Sequence, residues 1–227
     1  MSGLFVTGTD TGVGKTALSA ALLAAMSVAG LAVSAFKPAV TGLDEAPDGG
    51  WPADHELLAR EAGMTAGEVA PWSFGPAASP HLAAELAGAE IDPGALIARG
   101  RELAAGRVLV AEGVGGLLVP LTPSFSVCDL AAALGLPLVV VARSGLGTIN
   151  HTLLTLAAAR ARGLEVQAVV LNRWPARPDA IERSNRETIA RVGGVAVTTL
   201  GELPSPDPEA LAAAGRALPW RSWLAGA

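Results

Sequence analysis

Gly8-Thr9-Asp10-Thr11-Gly12-Val13-Gly14-Lys15-Thr16 follows the apolar run Leu4-Phe5-Val6 and opens directly into an alanine-rich stretch. A buried strand, a glycine-rich turn and then a helix aim backbone N–H groups and a helix N-terminus at one point, where an anion is held. Lys15 adds a compact positive charge and Thr16 a hydroxyl, so the segment reads as a phosphate-binding loop rather than a plain glycine connection. Five residues separate Gly8 from Gly14, where the common pattern has about four. The loop is therefore a variant.

Reading outward, residues 16–29 are strong helix formers stopped by Gly30. A second strand over 31–36 delivers Lys37-Pro38 and, one turn later, Thr41-Gly42. A helix from about residue 93 to 105 precedes the strand 107–112, which ends on Glu112 and a glycine turn, Gly113-Val114-Gly115-Gly116. Then come a short helix over 127–134, a strand over 137–142, the turn Arg143-Ser144-Gly145-Leu146-Gly147-Thr148 and a long helix over 149–162. Strands over 166–171 and 195–200 end in Asn172-Arg173-Trp174 and Gly201-Glu202-Leu203-Pro204, and a last helix spans 206–214. This alternation predicts an α/β fold: one domain over 1–227, a doubly wound parallel sheet with helices on both faces, of the phosphate-loop nucleotidase type. In such sheets ligands bind beyond the carboxyl ends of the strands, so Lys37 and Thr41 are expected to share a crevice with the loop.

Composition narrows the function classes. A net charge of −5 and a pI near 5.2 argue against a nucleic-acid partner, which requires clustered basic residues. Gly, Arg or Pro interrupts each apolar run before it could span a bilayer, and Met1-Ser2-Gly3 enters a strand without a basic leader, so no membrane partner is expected and the location is read as cytoplasmic. The lone Cys128 can form neither an internal disulfide nor a cysteine metal cluster, and is read as a small buried residue. Only two of the 16 basic residues are lysines, Lys15 and Lys37. A compact ammonium is not interchangeable with a guanidinium among phosphate oxygens, which singles out Lys37 as well as Lys15.

The remaining candidates are carboxylates and strand ends. Glu112, at the end of an apolar strand, matches the metal-holding carboxylate of nucleotide-hydrolysing folds. Asp54 reads either as the cap of the helix that starts there or as an Mg²⁺ ligand beside Thr16 and Glu112. Residues 44–52 read as an exposed loop, and Ser79-Pro80-His81 as a helix start, with His81 either packed or lining the site. The helix start at Gly147 to Asn150 offers free amides to a carboxylate, with His151 an ordinary helix-face residue. Asn172 presents a donor and an acceptor to a base edge, or simply closes a turn, near Leu203 and Pro204. Trp220 and Trp223 are spaced for packing on one helix face.

Taken together, the loop, Lys37-Pro38 with Thr41-Gly42, Asp54, Ser79-Pro80-His81, Glu112-Gly113-Val114-Gly115-Gly116 and Gly147-Thr148-Ile149-Asn150-His151 resemble the dethiobiotin synthetase family over most of the chain. The extra loop residue is normal in that family. The resemblance implies that 7,8-diaminononanoate, CO₂ and MgATP become dethiobiotin, ADP and phosphate through a carbamate and a carbamic-phosphoric anhydride. It further implies catalytic roles for Lys37, Lys15 and Thr11, and ATP contacts from Thr9, Asp10, Thr11, Gly12, Val13, Gly14, Lys15, Thr16, Asn172, Leu203 and Pro204. Substrate contacts would come from Lys37, Thr41, Gly115, Leu146, Gly147 and Asn150, the last three reaching a second subunit's site in a homodimer. Thr16, Asp54 and Glu112 would hold Mg²⁺. Some relatives carry glutamate where this chain has Gly12, so no such side-chain role transfers. Two other classes share the fold: nucleotide-switched partition or septum-positioning ATPases, and amidating synthetases. The first carry an extra loop lysine where this chain has Asp10, and the second need a glutaminase domain for which there is no room.

Overall fold

The computed structural model describes residues 1–45 and 50–225. The middle of the expected 44–52 loop therefore lies outside the described residues. Six parallel strands form the central sheet in the order β2-β3-β1-β6-β7-β8: β1 (Gly3–Gly8), β2 (Val33–Phe36), β3 (Val108–Gly116), β6 (Leu138–Arg143), β7 (Val166–Trp174) and β8 (Val197–Gly201). A two-stranded antiparallel ribbon, β4 (Pro120–Thr122) and β5 (Phe125–Ser126), stands apart from it. Strands β1, β3 and β6 occupy the middle, and their interior residues are buried on both faces, which explains the near-continuous apolar runs.

Successive side chains of β1 point to opposite faces. Leu4 and Val6 join the core formed by α1 (Lys15–Val28), α2 (Asp54–Ala62), α9 (Pro208–Arg216) and α10 (Trp220–Ala225). Phe5 joins the opposite core, formed with α5 (Pro93–Leu103) and α6 (Val127–Leu134). Helices α7 (Thr148–Ala161) and α8 (Ala180–Gly193) cover β6 and β7 with Leu156 and Ile189. Short helices α3 (Ala66–Val69) and α4 (Pro80–Leu86) complete the chain. Trp220 and Trp223 are 2% and 3% exposed and belong to the first core, as the sequence spacing implies. Cys128 is buried. Between α1 and α9 the backbones nearly touch: a Cβ on Gly215 would fall 1.9 Å from the carbonyl oxygen of Ala21.

Several boundaries differ from the sequence reading. The glycines after Glu112 do not form a turn outside the sheet; β3 continues through them to Gly116. Its register against β1 passes from Val6 opposite Glu112 to Gly8 opposite Gly116, so β3 bulges between these pairs. Likewise β7 runs on through Asn172 and Arg173 to Trp174, and β2 starts at Val33 rather than residue 31. Asp54 is the first helical residue of α2, preceded by Ala53 as cap, so the capping alternative for its side chain fails.

Candidate active site

The chain turns at the carboxyl edge of β1, flanked by β3 on one side and β6 on the other, and the phosphate loop fills this crevice. Gly12 and Gly14 adopt left-handed backbone angles, φ 69° and 95°, which side chains rarely tolerate. Gly14 is the cap of α1 and no side chain satisfies the first amides of that helix. They remain available to an anion.

Opposite the loop, the residue after β2, the middle of β3 and the start of α2 bring three charges together. Lys37 Nζ donates to Asp54 Oδ2 at 2.6 Å and to Glu112 Oε1 at 2.5 Å. Thr16 Oγ1 donates to the same Glu112 oxygen at 2.9 Å. Lys37 and Glu112 are buried, whereas the Asp54 side chain is half-exposed. Burial disfavours the Lys37 ammonium, but the attraction and hydrogen bonds of Asp54 and Glu112 outweigh it and raise its pKa above the ordinary lysine value. Burial also opposes the Asp54 charge, yet Lys37, Thr16 and Lys15 prevail and lower its pKa. Lys15 responds differently. Burial, reinforced by the charge of Lys37, lowers its pKa to about 8 despite the nearby carboxylates. Its Nζ donates to the carbonyl of Asp10 at 3.1 Å.

Glu112 Oε2 is buried with no hydrogen-bond partner. Two carboxylates and a hydroxyl are hard oxygen donors of the kind Mg²⁺ takes together with phosphate oxygens and water. Among the described residues no group of three or more His, Cys, Asp or Glu side chains could hold a metal unaided. The donor set of Thr16, Asp54 and Glu112 therefore fits a cation that brings phosphate ligands with it.

A cavity of about 970 Å³ extends from these groups along the strand ends. Thr11, Gly12, Gly14, Lys15, Thr16, Lys37, Thr41, Asp54, Gly115, Asn172, Leu203 and Pro204 all line it, so these residues, far apart in sequence, meet at one cavity. Glu112 lies beneath its floor, fully buried. Thr9, Asp10 and Val13 are not on its wall: Thr9 N–H bonds to Val141 of β6, Asp10 faces outward, and Val13 is 2% exposed. Asn172 donates through Nδ2 to the Val13 carbonyl at 2.9 Å. Its carboxamide also sits against Gly14, where a Cβ would fall 1.8 Å from Nδ2. Leu146, Gly147 and Asn150 do not reach this cavity in the single chain; Leu146 is 96% exposed. His81 does not line the cavity and pairs with Ser79 through Nδ1 at 3.0 Å, while His151 is exposed.

Sequence reasoning assigned no role to Trp51, Arg173 or Glu202, which line the cavity, or to Arg143, which touches the loop. A tryptophan within a polar loop was a signal for Trp51. For Arg143 the signal was a charge terminating a buried strand level with the loop.

A six-stranded parallel sheet carrying a glycine loop, an uncapped helix start, two buried lysines and paired carboxylates at its carboxyl edge defines a phosphate-loop nucleotide enzyme of the α/β class. Comparison with known proteins agrees. A family model described as an AAA domain matches residues 2–209. The ATP-dependent dethiobiotin synthetase BioD of Anaeromyxobacter dehalogenans (strain 2CP-1) is 48% identical over 196 residues, 85% of this chain and 86% of that protein. The BioD of Mycobacterium sp. (strain KMS) is 40% identical over 100% of this chain and 99% of its own length. Among solved structures, the Pyrococcus furiosus cell division ATPase MinD superposes with a TM-score of 0.52 at 18% identity, covering 90% of this chain and 85% of that one; it shares the fold. The chain belongs to the ATP-dependent dethiobiotin synthetase family. No helix among the described residues is long and apolar enough to cross a membrane.

Proposed function

We propose that this single-domain chain condenses 7,8-diaminononanoate with CO₂ at the expense of MgATP, giving dethiobiotin, ADP and phosphate, in the cytoplasm. The observation that carries the reading is the convergence of the chain's only two lysines, both buried, on one cavity that also holds the carboxylate pair. Phosphoryl transfer demands positioning and charge neutralisation more than a strong base, and that is what these groups supply.

The loop amides and Lys15 bind the nucleotide phosphates, with Asn172, Leu203 and Pro204 towards the base. One amine of the substrate adds to CO₂, losing a proton, to form a carbamate. Lys37 and Lys15 neutralise the carbamate, and Thr11 and Thr41 hydrogen-bond beside the amines. A carbamate oxygen attacks the γ-phosphorus as the bond to the ADP oxygen breaks. The second amine then attacks the carbamoyl carbon, phosphate departs, and the ureido ring closes with loss of a proton. Thr16, Asp54 and Glu112 would hold Mg²⁺, which would neutralise phosphate charge.

Gly147 is an uncapped helix start in left-handed geometry, and Leu146 and Leu154 project exposed from this region. These features support a homodimer in which Leu146, Gly147 and Asn150 of one subunit receive the substrate carboxylate at the other's site. The test is an assay of purified protein with diaminononanoate, bicarbonate and MgATP, following phosphate and dethiobiotin together. Coupled release of both is expected. ATP hydrolysis that ignores the diamine would overturn the reading.

A further inference from the structure

The Asp10-Thr11 segment of the loop is gripped from both ends. Asp10 Oδ1 accepts the N–H of Thr11 at 2.7 Å, and Arg143 Nη2 donates to the Thr11 carbonyl at 3.4 Å. The same guanidinium lies 3.7 Å from Asp10 Oδ2, while the Asp10 carbonyl accepts from Lys15 Nζ. Arg143 terminates β6, whose Val141 pairs with Gly8 at the end of β1, so the guanidinium is anchored beside the loop it contacts. Across the loop Thr11 Oγ1 stands above Gly115, 3.4 Å from where a Cβ would be. Gly115 has φ +61° and carries no side chain to displace the hydroxyl.

We infer that Arg143 is a positioning residue for the diamine step: by holding the Thr11 carbonyl and the Asp10 carboxylate together, it fixes where the Thr11 hydroxyl enters the cavity. A planar, forked guanidinium can meet a carbonyl and a carboxylate at once, which an ammonium on a flexible stem does less well. Arg143 does not line the cavity, and its side chain is largely exposed, so it acts through Thr11 and not on the phosphates directly. An exposed pair of this kind contributes little to global stability. Its effect is on loop geometry. The inference rests on the reaction proposed above.

Two measurements on Arg143→Gln test it. Hydrogen exchange of the peptide spanning residues 8–14, followed by mass spectrometry, is expected to quicken about three- to fivefold at an unchanged melting temperature, as the loss of an exposed ion pair implies. In steady-state kinetics, kcat/KM for the diamine is expected to fall by a similar factor while KM for MgATP stays within about twofold. Arg143→Lys recovers part of both, because it keeps the charge but not the planar fork. Unchanged loop exchange in Arg143→Gln overturns the inference, and so does a loss that falls equally on MgATP and the diamine. Wild-type protein that forms no dethiobiotin would defeat the proposed reaction instead, and the exchange measurement would still decide whether Arg143 holds the loop.

Discussion

Lys37 and Glu112 are joined by a 2.5 Å contact between the residue that follows β2 and the middle of the neighbouring strand β3, buried from solvent. The pair sits where phosphate chemistry is proposed, and it also closes the sheet edge. Removing either partner strands a charge. Glu112→Leu is expected to lower stability by about 3 kcal/mol, towards the low end for a broken buried pair because Asp54 still faces Lys37. The double variant Lys37→Met with Glu112→Leu leaves neither charge of this pair behind and should be more stable than either single change, although inactive. Urea denaturation of the three variants checks the order.

Lys37→Ala separates binding from chemistry. Its ammonium is assigned to the carbamate and the transferring phosphoryl group, so turnover should fall by at least about a thousandfold while ADP affinity stays within a few-fold. Isothermal calorimetry beside the coupled assay reads both. A proportionate loss of nucleotide affinity would assign Lys37 to nucleotide binding instead.

Lys15 makes nucleotide binding pH-dependent. Burial and Lys37 hold its pKa near 8 in the free protein, and bound phosphates favour the charged form and raise it. Below about pH 8 the lysine is protonated before and after binding. Above that value the free protein has lost the proton and the complex regains it, so binding takes up protons and weakens as pH rises. Calorimetry in buffers of different ionisation enthalpy should show uptake near zero at pH 7 and approaching one proton towards pH 9. The uptake should vanish in Lys15→Met.

Asn150 lies on a helix start that the single chain leaves outside the cavity. In a shared-site dimer, Asn150→Ala and Lys15→Ala each damage a different half of the site. A mixed dimer should recover up to about half of the wild-type dimer's activity, because one of its two sites carries neither change. No recovery in a verified heterodimer would count against sharing.

The phosphate loop, the apolar strand that carries Glu112 and the lysine after β2 were legible in sequence because strong local rules write them: apolar runs, glycines that need left-handed angles, and lysine kept where arginine is otherwise used. The bulge in β3 was not. Gly113-Val114-Gly115-Gly116 has turn composition, and only pairing with β1 carries it into the sheet. Asp54 was ambiguous because a carboxylate at a helix start serves as a cap or reaches elsewhere, and only the fold brings Lys37 to 2.6 Å from it. The helix Ala180–Gly193 and the small β4–β5 ribbon also went unread. Arg143 was invisible for a related reason: its partners Asp10 and Thr11 lie 133 and 132 residues away, across the β1–β6 junction.

Asn172 reaches from β7 to the Val13 carbonyl and fills the space where a side chain on Gly14 would be. In the proposed reaction this hydrogen bond joins the segment assigned to the base directly to the loop assigned to the phosphates. A nucleotide bound as proposed meets a fixed gauge, its span from base to phosphate set by a hydrogen bond made before it arrives. A side chain at residue 14 would have to displace the carboxamide of residue 172, 158 positions further along the chain.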